Sequence, residues 1–419
     1  MSFQQGLSGL NATSKNLQVI GNNIANANTF GSKVSRAEFG DMYAAALNLT
    51  GANPVGIGVN LSTVAQQFTQ GNLKTTENPM DLAINGPGFF QLTDGVNPPI
   101  YSRNGQFKVD REGFIANNSS HRLMGYPANE EGVIQPGQAV ALQLPTAGVA
   151  PRQTSEIRID ANMDSRLLTT GVTASPSIDY ADADTYNNAT SLTVFDEKGQ
   201  QVALTYYFQK ADNDTWNVFA TANGLDVMDP GGTPTVLTTI TFEPNGSRPS
   251  APIAPVAFTV PETTNANGAL TLPIAVELDL TRMTQYGAPF GVTDLQQDGF
   301  AAGQLSAIAI EGNGIVMARY SNGQTRPAGQ IELANFRNPQ GLQPIGKNAW
   351  IHTFTSGEPI AGVAGNGNLG SLQAGTLEES NIDLTGELVN MIVSQRIYQA
   401  NAQTIKTQDQ VLQTLVNLR

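Results

Sequence analysis

Residues 2–27 read SFQQGLSGLNATSKNLQVIGNNIANA, and residues 383–419 read DLTGELVNMIVSQRIYQANAQTIKTQDQVLQTLVNLR. In the first stretch Phe3, Leu7, Leu10, Leu17 and Ile24 recur at steps of 4, 3, 7 and 7, with Ser14 and Gly21 in the missing places. That is a heptad seam. Ser2 and Gln5 have the spacing of a capping box. Lys15 is the one charged residue of the stretch. In the second stretch Leu384, Leu388, Met391, Tyr398, Ile405, Leu412 and Val416 fall on one 4-3 seam, with Gln395, Ala402 and Asp409 between them. Asp383 or Asn381 supplies its N-cap. Two heptad helices at opposite ends predict that they pair as an α-helical coiled coil.

The sequence between them reads as β. Residues 101–109 alternate around Asn104-Gly105, a hairpin signal, and residues 318–324 do so around Asn322-Gly323. Leu192–Phe195 and Val202–Phe208 flank Asp196–Gly199 as a third hairpin, with Trp216–Phe219 expected to pair beside it. Gly/Pro punctuation at 145–155 and 286–303 brackets a middle block. The expected architecture is mixed α and β, with two nested all-β, sandwich- or barrel-like domains between the helices. Residues 1–30 and 382–419 form the coiled-coil polymerisation domain, and 31–71 with 376–381 a linker region. Residues 72–150 with 300–375 form the first β domain, and 151–299 an inserted, outer one.

Composition narrows the function. The 419 residues suggest about three domains. A formal charge of −13 disfavours nucleic acid, whose phosphates need clustered Lys and Arg, and anionic membrane surfaces. The polarity is carried by 37 Asn and 30 Gln rather than by charge, which is 14% of the chain. With no cysteine, disulfides, thiolate metal sites and Cys nucleophiles are excluded. His121 and His352 are the only histidines. No apolar run is long enough for membrane insertion. The start of the chain lacks the basic and apolar regions of a cleaved signal peptide.

Chemical motifs are weak. Gly365-Asn366-Gly367-Asn368-Leu369-Gly370 matches G-x-G-x-x-G, but no βαβ unit surrounds it, so it reads as a loop. Asp179, Asp182 and Asp184, and Asp212 with Asp214, lack calcium-loop spacing and read as solvated turns. No catalytic residue, metal ligand or cofactor is expected, and the chain does not read as an enzyme.

Two terminal signatures carry a resemblance. Ser8–Ala12 and Asn22–Gly31, followed near the end by Glu379–Val389 and Gln395–Asn401, resemble those of the flagellar rod and hook axial protein family. Asn78–Phe90, Leu192–Phe219 and Gln403–Arg419 resemble hook members in particular. The resemblance implies a structural subunit that polymerises into a curved, flexible helical tube. That tube joins rod to filament, transmits torque as a universal joint and encloses the export channel. It also implies export without a cleaved signal peptide, by the flagellar type III apparatus, to the extracellular flagellum. Implied partners are other copies of the chain, a hook-capping scaffold protein, a distal rod protein and a hook–filament junction protein. The alternatives are a distal rod protein and, in another class, a β-rich extracellular adhesin or binding module. The polar terminal helices are expected to order only on assembly.

Overall fold

A computed structural model describes residues 2–43, 56–129, 132–145, 147–170, 177–265 and 267–417. Among them the chain is mainly β, with two α-helices, α1 (Ser2–Ala25) and α2 (Leu384–Asn417). It divides into two compact units. One comprises 1–146, 306–319 and 325–419, the other 147–305 and 320–324.

In the first unit, α1 leads into a two-stranded ribbon of β1 (Ser35–Tyr43) and β2 (Gly56–Gln66), paired antiparallel. This ribbon lies in the stretch expected to be a linker. A larger sheet places strands Thr325–Asn335, Arg122–Pro127, Phe89–Thr93, Ile100–Ser102, Ala349–Ile351 and Gln343–Gly346 side by side. Its side chains separate by the period of two. Phe90 and Leu92 join Leu82, Ile84, Leu123 and Leu333 in one core, whereas Phe89 faces a second cluster with Tyr101, Phe336 and Trp350. The rings of that cluster meet edge to face, Tyr101 and Phe336 at 4.7 Å between centroids.

The Asn104-Gly105 stretch is not a hairpin. Ile100–Ser102 pairs with Phe89–Thr93 and Ala349–Ile351, while Phe107–Val109 pairs with Ile115–Asn117. Gly105 is needed for another reason: a Cβ there would lie 1.7 Å from the Leu82 carbonyl oxygen. The hairpin at Asn322-Gly323 does form, with Gly323 at φ 82°. The expected capping box begins at Ser2, whose side chain lies outside the described residues, and its glutamine also makes a tertiary contact. The Gln5 amide donates to the Gly56 carbonyl of β2 at 2.7 Å. At α2 the cap is Asp383, whose Oδ1 accepts from Thr385 N at 3.0 Å.

In the second unit two sheets share one core. Strands Val256–Val260, Ile274–Asp279, Glu156–Asn162 and Gly291–Gln297 form one sheet; the other is built on Asn188–Phe195, Gln201–Asp212, Thr215–Ala222 and Thr238–Phe242. The expected hairpin pairs Phe195 with Gln201, and Trp216–Phe219 lies on its far side. Alternate residues Val202, Leu204, Tyr206 and Phe208 are fully buried against Trp216, Ile157 and Ile159. Lys210 is buried too, donating to the Ser165 and Leu167 carbonyls at 2.6 and 2.9 Å. Asp179, Asp182 and Asp184 lie in exposed turns, and among the described residues no three His, Asp or Glu side chains converge as a metal site.

Candidate functional site

The α1 and α2 helices pack side by side and antiparallel. A Cβ on Gly6 would lie 3.1 Å from the Ile405 side chain, and one on Gly9 would lie 2.9 Å from that of Asn401. Asn16 Nδ2 donates to Ser394 Oγ at 3.0 Å. Thr13 and Ile20 continue this stripe at heptad spacing and are buried. The contact stripe is therefore mainly of small or polar residues, with Ile20 and Ile405 as its apolar members, and on α1 it lies one place along from the apolar seam.

The apolar seam is left mostly open. Phe3 is 44% exposed and Leu7 45%, while Leu10, Leu17 and Ile24 are half-buried. On α2, Leu384, Leu388 and Leu412 are exposed, Tyr398 is 37% exposed, and Met391 and Ile405 are half-buried. Val416 is helical, but its side chain lies outside the described residues. Val389, Ile392, Val393 and Ile397 widen the open face of α2. The seam read from sequence thus splits: Ile405 meets α1, whereas Phe3, Leu7, Leu384 and Leu388 are left for something else.

Polar clips hold α1 to the ribbon. Ser8 Oγ donates to Val59 O at 2.6 Å and accepts from Val59 N at 2.7 Å. Asn23 Nδ2 donates to Ser35 O at 2.8 Å, and its Oδ1 accepts from Ser35 N at 2.9 Å. These amides and hydroxyls saturate backbone groups of a ribbon that could not stand alone.

Below the helices, a buried charge cluster ties both chain ends to the sheet. Glu378 Oε1 accepts from Lys33 Nζ at 2.6 Å and Gly71 N at 3.0 Å, and its Oε2 accepts from Arg103 Nη1 at 3.1 Å. The side chains of Lys33 and Glu378 are 0% exposed, and that of Arg103 is 5%. Lys33 also donates to Thr69 O at 2.7 Å, and Arg103 Nη2 to Gly86 O at 2.8 Å. Burial draws the Lys33 ammonium below its ordinary pKa, against the opposing pull of Glu378. Beside the cluster, the Asn381 amide donates to Gln67 O and Thr69 Oγ1 at 2.9 and 2.7 Å, and its oxygen accepts from Val34 N at 2.8 Å. Sequence reading missed this cluster. Its only signal was that Lys33, Glu378 and Asn381 fall within or beside the terminal signatures.

No helix among the described residues is long and apolar enough to cross a membrane. The loop at Gly365–Gly370 turns through positive φ at Gly365 and Gly367.

Family profiles cover most of the chain. One described as flagella basal body rod protein matches residues 3–33, and the flagellar hook protein FlgE/F/G D1 domain matches 83–166. The flagellar basal body protein FlaE D2 domain matches 162–300, and the flagellar basal body rod FlgEFG protein C-terminal profile matches 373–418. The chain is 41% identical over 424 residues to the flagellar hook protein FlgE of Salmonella typhimurium, across 100% of both chains. It is 40% identical over 421 residues to that of Escherichia coli, again across 100% of this chain. The crystal structure of Helicobacter pylori flagellar hook protein FlgE2 shares the fold at a TM-score of 0.53 and 14% identity, over 73% of this chain and 100% of that one. These relatives are structural proteins, not enzymes, and neither the distal-rod nor the adhesin alternative is favoured. With hook proteins aligned along its whole length, the chain belongs to the flagellar hook protein FlgE family and is a structural subunit of the extracellular flagellar hook.

Proposed function

We propose that copies of this chain polymerise through the open apolar faces of α1 and α2 into a curved, flexible helical tube that joins rod to filament. The observation that carries this is the split seam. Phe3, Leu7, Leu384 and Leu388 face solvent while a stripe of mainly small or polar residues holds the two helices together. A contiguous apolar helix face without a partner marks an interaction surface. Head-to-tail contacts between identical subunits give open helical polymers. In the tube the terminal segments 1–30 and 382–419 act as a coiled-coil layer around the export channel, with Leu10, Leu17, Ile24, Met391, Tyr398, Ile405, Leu412 and Val416 completing the seams. Residues 31–71 and 376–381 connect it to the first β domain, 72–150 with 300–375. The inserted domain, 151–299, lies outermost; the compact unit at 147–305 supports that division.

In this reading the tube transmits torque as a universal joint. Its partners are the hook-capping scaffold, the distal rod protein and the hook–filament junction protein. The chain leaves the cell through the flagellar type III apparatus without a cleaved signal peptide.

The test is a pair of substitutions. Leu388→Ala removes an exposed side chain, so the monomer should keep its stability while polymerisation, followed by light scattering and electron microscopy, is lost. Ile405→Ala should weaken the α1–α2 contact as well, by about 2–5 kcal/mol if that contact is fully packed. Normal tubes from Leu388→Ala would exclude the seam as an interface.

A further inference from the structure

The chain holds eight Asn-Gly pairs. In seven of them the fold ties down the asparagine carboxamide, the glycine N–H, or both. Asn322 Nδ2 donates to Ala301 O at 2.7 Å, and Gly323 N to Tyr320 O at 3.0 Å. Asn313 and Asn245 each accept from the backbone N–H two residues on, while Gly314 N and Gly246 N donate to the Glu311 and Glu243 carbonyls at 2.9 and 2.8 Å. Asn223 is held at both ends, by Ala203 N at 2.9 Å and Thr263 Oγ1 at 3.0 Å. Gly268 N donates to Asn265 O at 2.9 Å, and Gly86 N to Gln70 Oε1 at 3.0 Å. Asn104 is half-buried, and its Oδ1 accepts from Gln106 N at 3.0 Å. Each of these groups must give up a hydrogen bond before it can react.

Asn366-Gly367 differs. Both residues are exposed, and among the described residues nothing bonds the Asn366 carboxamide or the Gly367 N–H. Gly367 turns at φ 58°, and a Cβ there would meet no atom within 4 Å. With no side chain of its own, the glycine leaves its nitrogen unshielded. The neighbouring Asn368 is a contrast within the same loop. It precedes Leu369, whose side chain is half-buried and whose N–H donates to Asn366 O at 3.1 Å. The base of the loop is fixed, by Gly365 N to Gly370 O at 3.0 Å and Gly370 N to Pro87 O at 2.7 Å. Its tip borders an open hollow of about 290 Å³ beside Asn335 and Ile360, so water reaches it.

We propose that Asn366-Gly367 is a self-modifying site that converts a neutral loop into an anionic one. The Gly367 backbone nitrogen attacks Asn366 Cγ. The new N–Cγ bond closes a succinimide ring, the Cγ–Nδ2 bond breaks, and ammonia leaves with the proton that the nitrogen gives up. Water then opens the ring. Cleavage of the N–Cγ bond leaves an aspartate side chain at 366. Cleavage between the nitrogen and the Asn366 carbonyl carbon leaves isoaspartate, with Cβ and Cγ in the main chain. Either product adds one negative charge to a chain already at −13. The isoaspartyl product also lengthens the turn that Leu369 N and Asn366 O close.

The test is made on the folded, full-length monomer and does not depend on tube formation. The chain is incubated in mildly alkaline buffer, and its peptides are mapped by mass spectrometry for conversion of carboxamide to carboxylate. Asn366 should convert first, at least tenfold faster than any other Asn-Gly pair. In guanidinium chloride, where the fold no longer selects, the eight rates should come within a few-fold of one another. Asn366→Gln should remove the leading acidic species on isoelectric focusing while leaving Trp350 fluorescence unchanged. If another Asn-Gly pair of the folded chain converts as fast as Asn366, or the rates rank alike in the folded and unfolded chain, the site is overturned.

Discussion

Substituting Glu378 should expose what the buried cluster does. Two cations, Lys33 and Arg103, share one carboxylate there, so the site carries a surplus positive charge. Glu378→Ala removes both ion pairs and the acceptor for Gly71 N, leaving two like charges with no counterion. Removing one partner of a buried pair costs about 3–5 kcal/mol. Lys33→Met leaves the Arg103–Glu378 pair intact and neutral and fills similar volume. Thr69 O keeps the Asn381 amide as a donor at 3.2 Å. Its expected cost is within about 1 kcal/mol. The chain has two tryptophans, Trp350 in the first compact unit and Trp216 in the second. In a Trp216→Phe background, Trp350 fluorescence therefore follows the unit that holds the cluster. With a urea slope of about 2 kcal/mol per molar, Glu378→Ala should lower the midpoint by about 1.5–2.5 M and Lys33→Met by about 0.5 M or less. If Lys33→Met is as damaging as Glu378→Ala, the surplus-charge argument is wrong.

Three further outcomes are expected. Tyr206 is fully buried and its hydroxyl has no hydrogen-bond partner among the described residues, so Tyr206→Phe should stabilise the second unit by about 1–2 kcal/mol, read from Trp216 in urea; a loss of stability would show that the hydroxyl is satisfied. For Asp298, burial alone would raise the carboxyl pKa, but hydrogen bonds from Ser155 and Glu156 and the Arg152 charge outweigh it and hold it below its ordinary value. The stabilisation is then present above about pH 4 and lost as pH falls through the depressed value, so Asp298→Asn should be less stable at pH 7 with a flatter acid limb in a pH series of urea melts. Limited proteolysis should cut within 1–30 and 380–419 first in the monomer and spare those segments in tubes; equal resistance in both states would count against ordering on assembly.

Much of the fold was legible because it is local. The period of two at 202–208 and the Asp196–Gly199 turn dictate their hairpin whatever surrounds them. Asn104-Gly105 misled because strand partners from elsewhere in the chain outcompeted the adjacent segment, and the glycine serves a close approach instead. The helices were legible, but not which face meets which. Gly6, Gly9, Thr13 and Asn16 look like gaps in an apolar pattern, yet they form the contact. Lys33 and Glu378 are 345 positions apart, and each reads alone as an ordinary surface charge.

That buried cluster also has a mechanical consequence. The chain leaving α1 and the chain entering α2 are fastened within a few residues of each other, at Gly31–Lys33 and Glu378–Asn381, by backbone bonds such as Gly31 N to Glu378 O at 2.8 Å. Tension or torsion carried along the helix pair therefore reaches the sheet through one knot, not through two separate loops. Shearing it requires the salt bridges, the Asn381 amide and the Leu73–Thr75 to Thr376–Glu378 pairing to yield together. Load placed on one end of the chain is shared at once with the other.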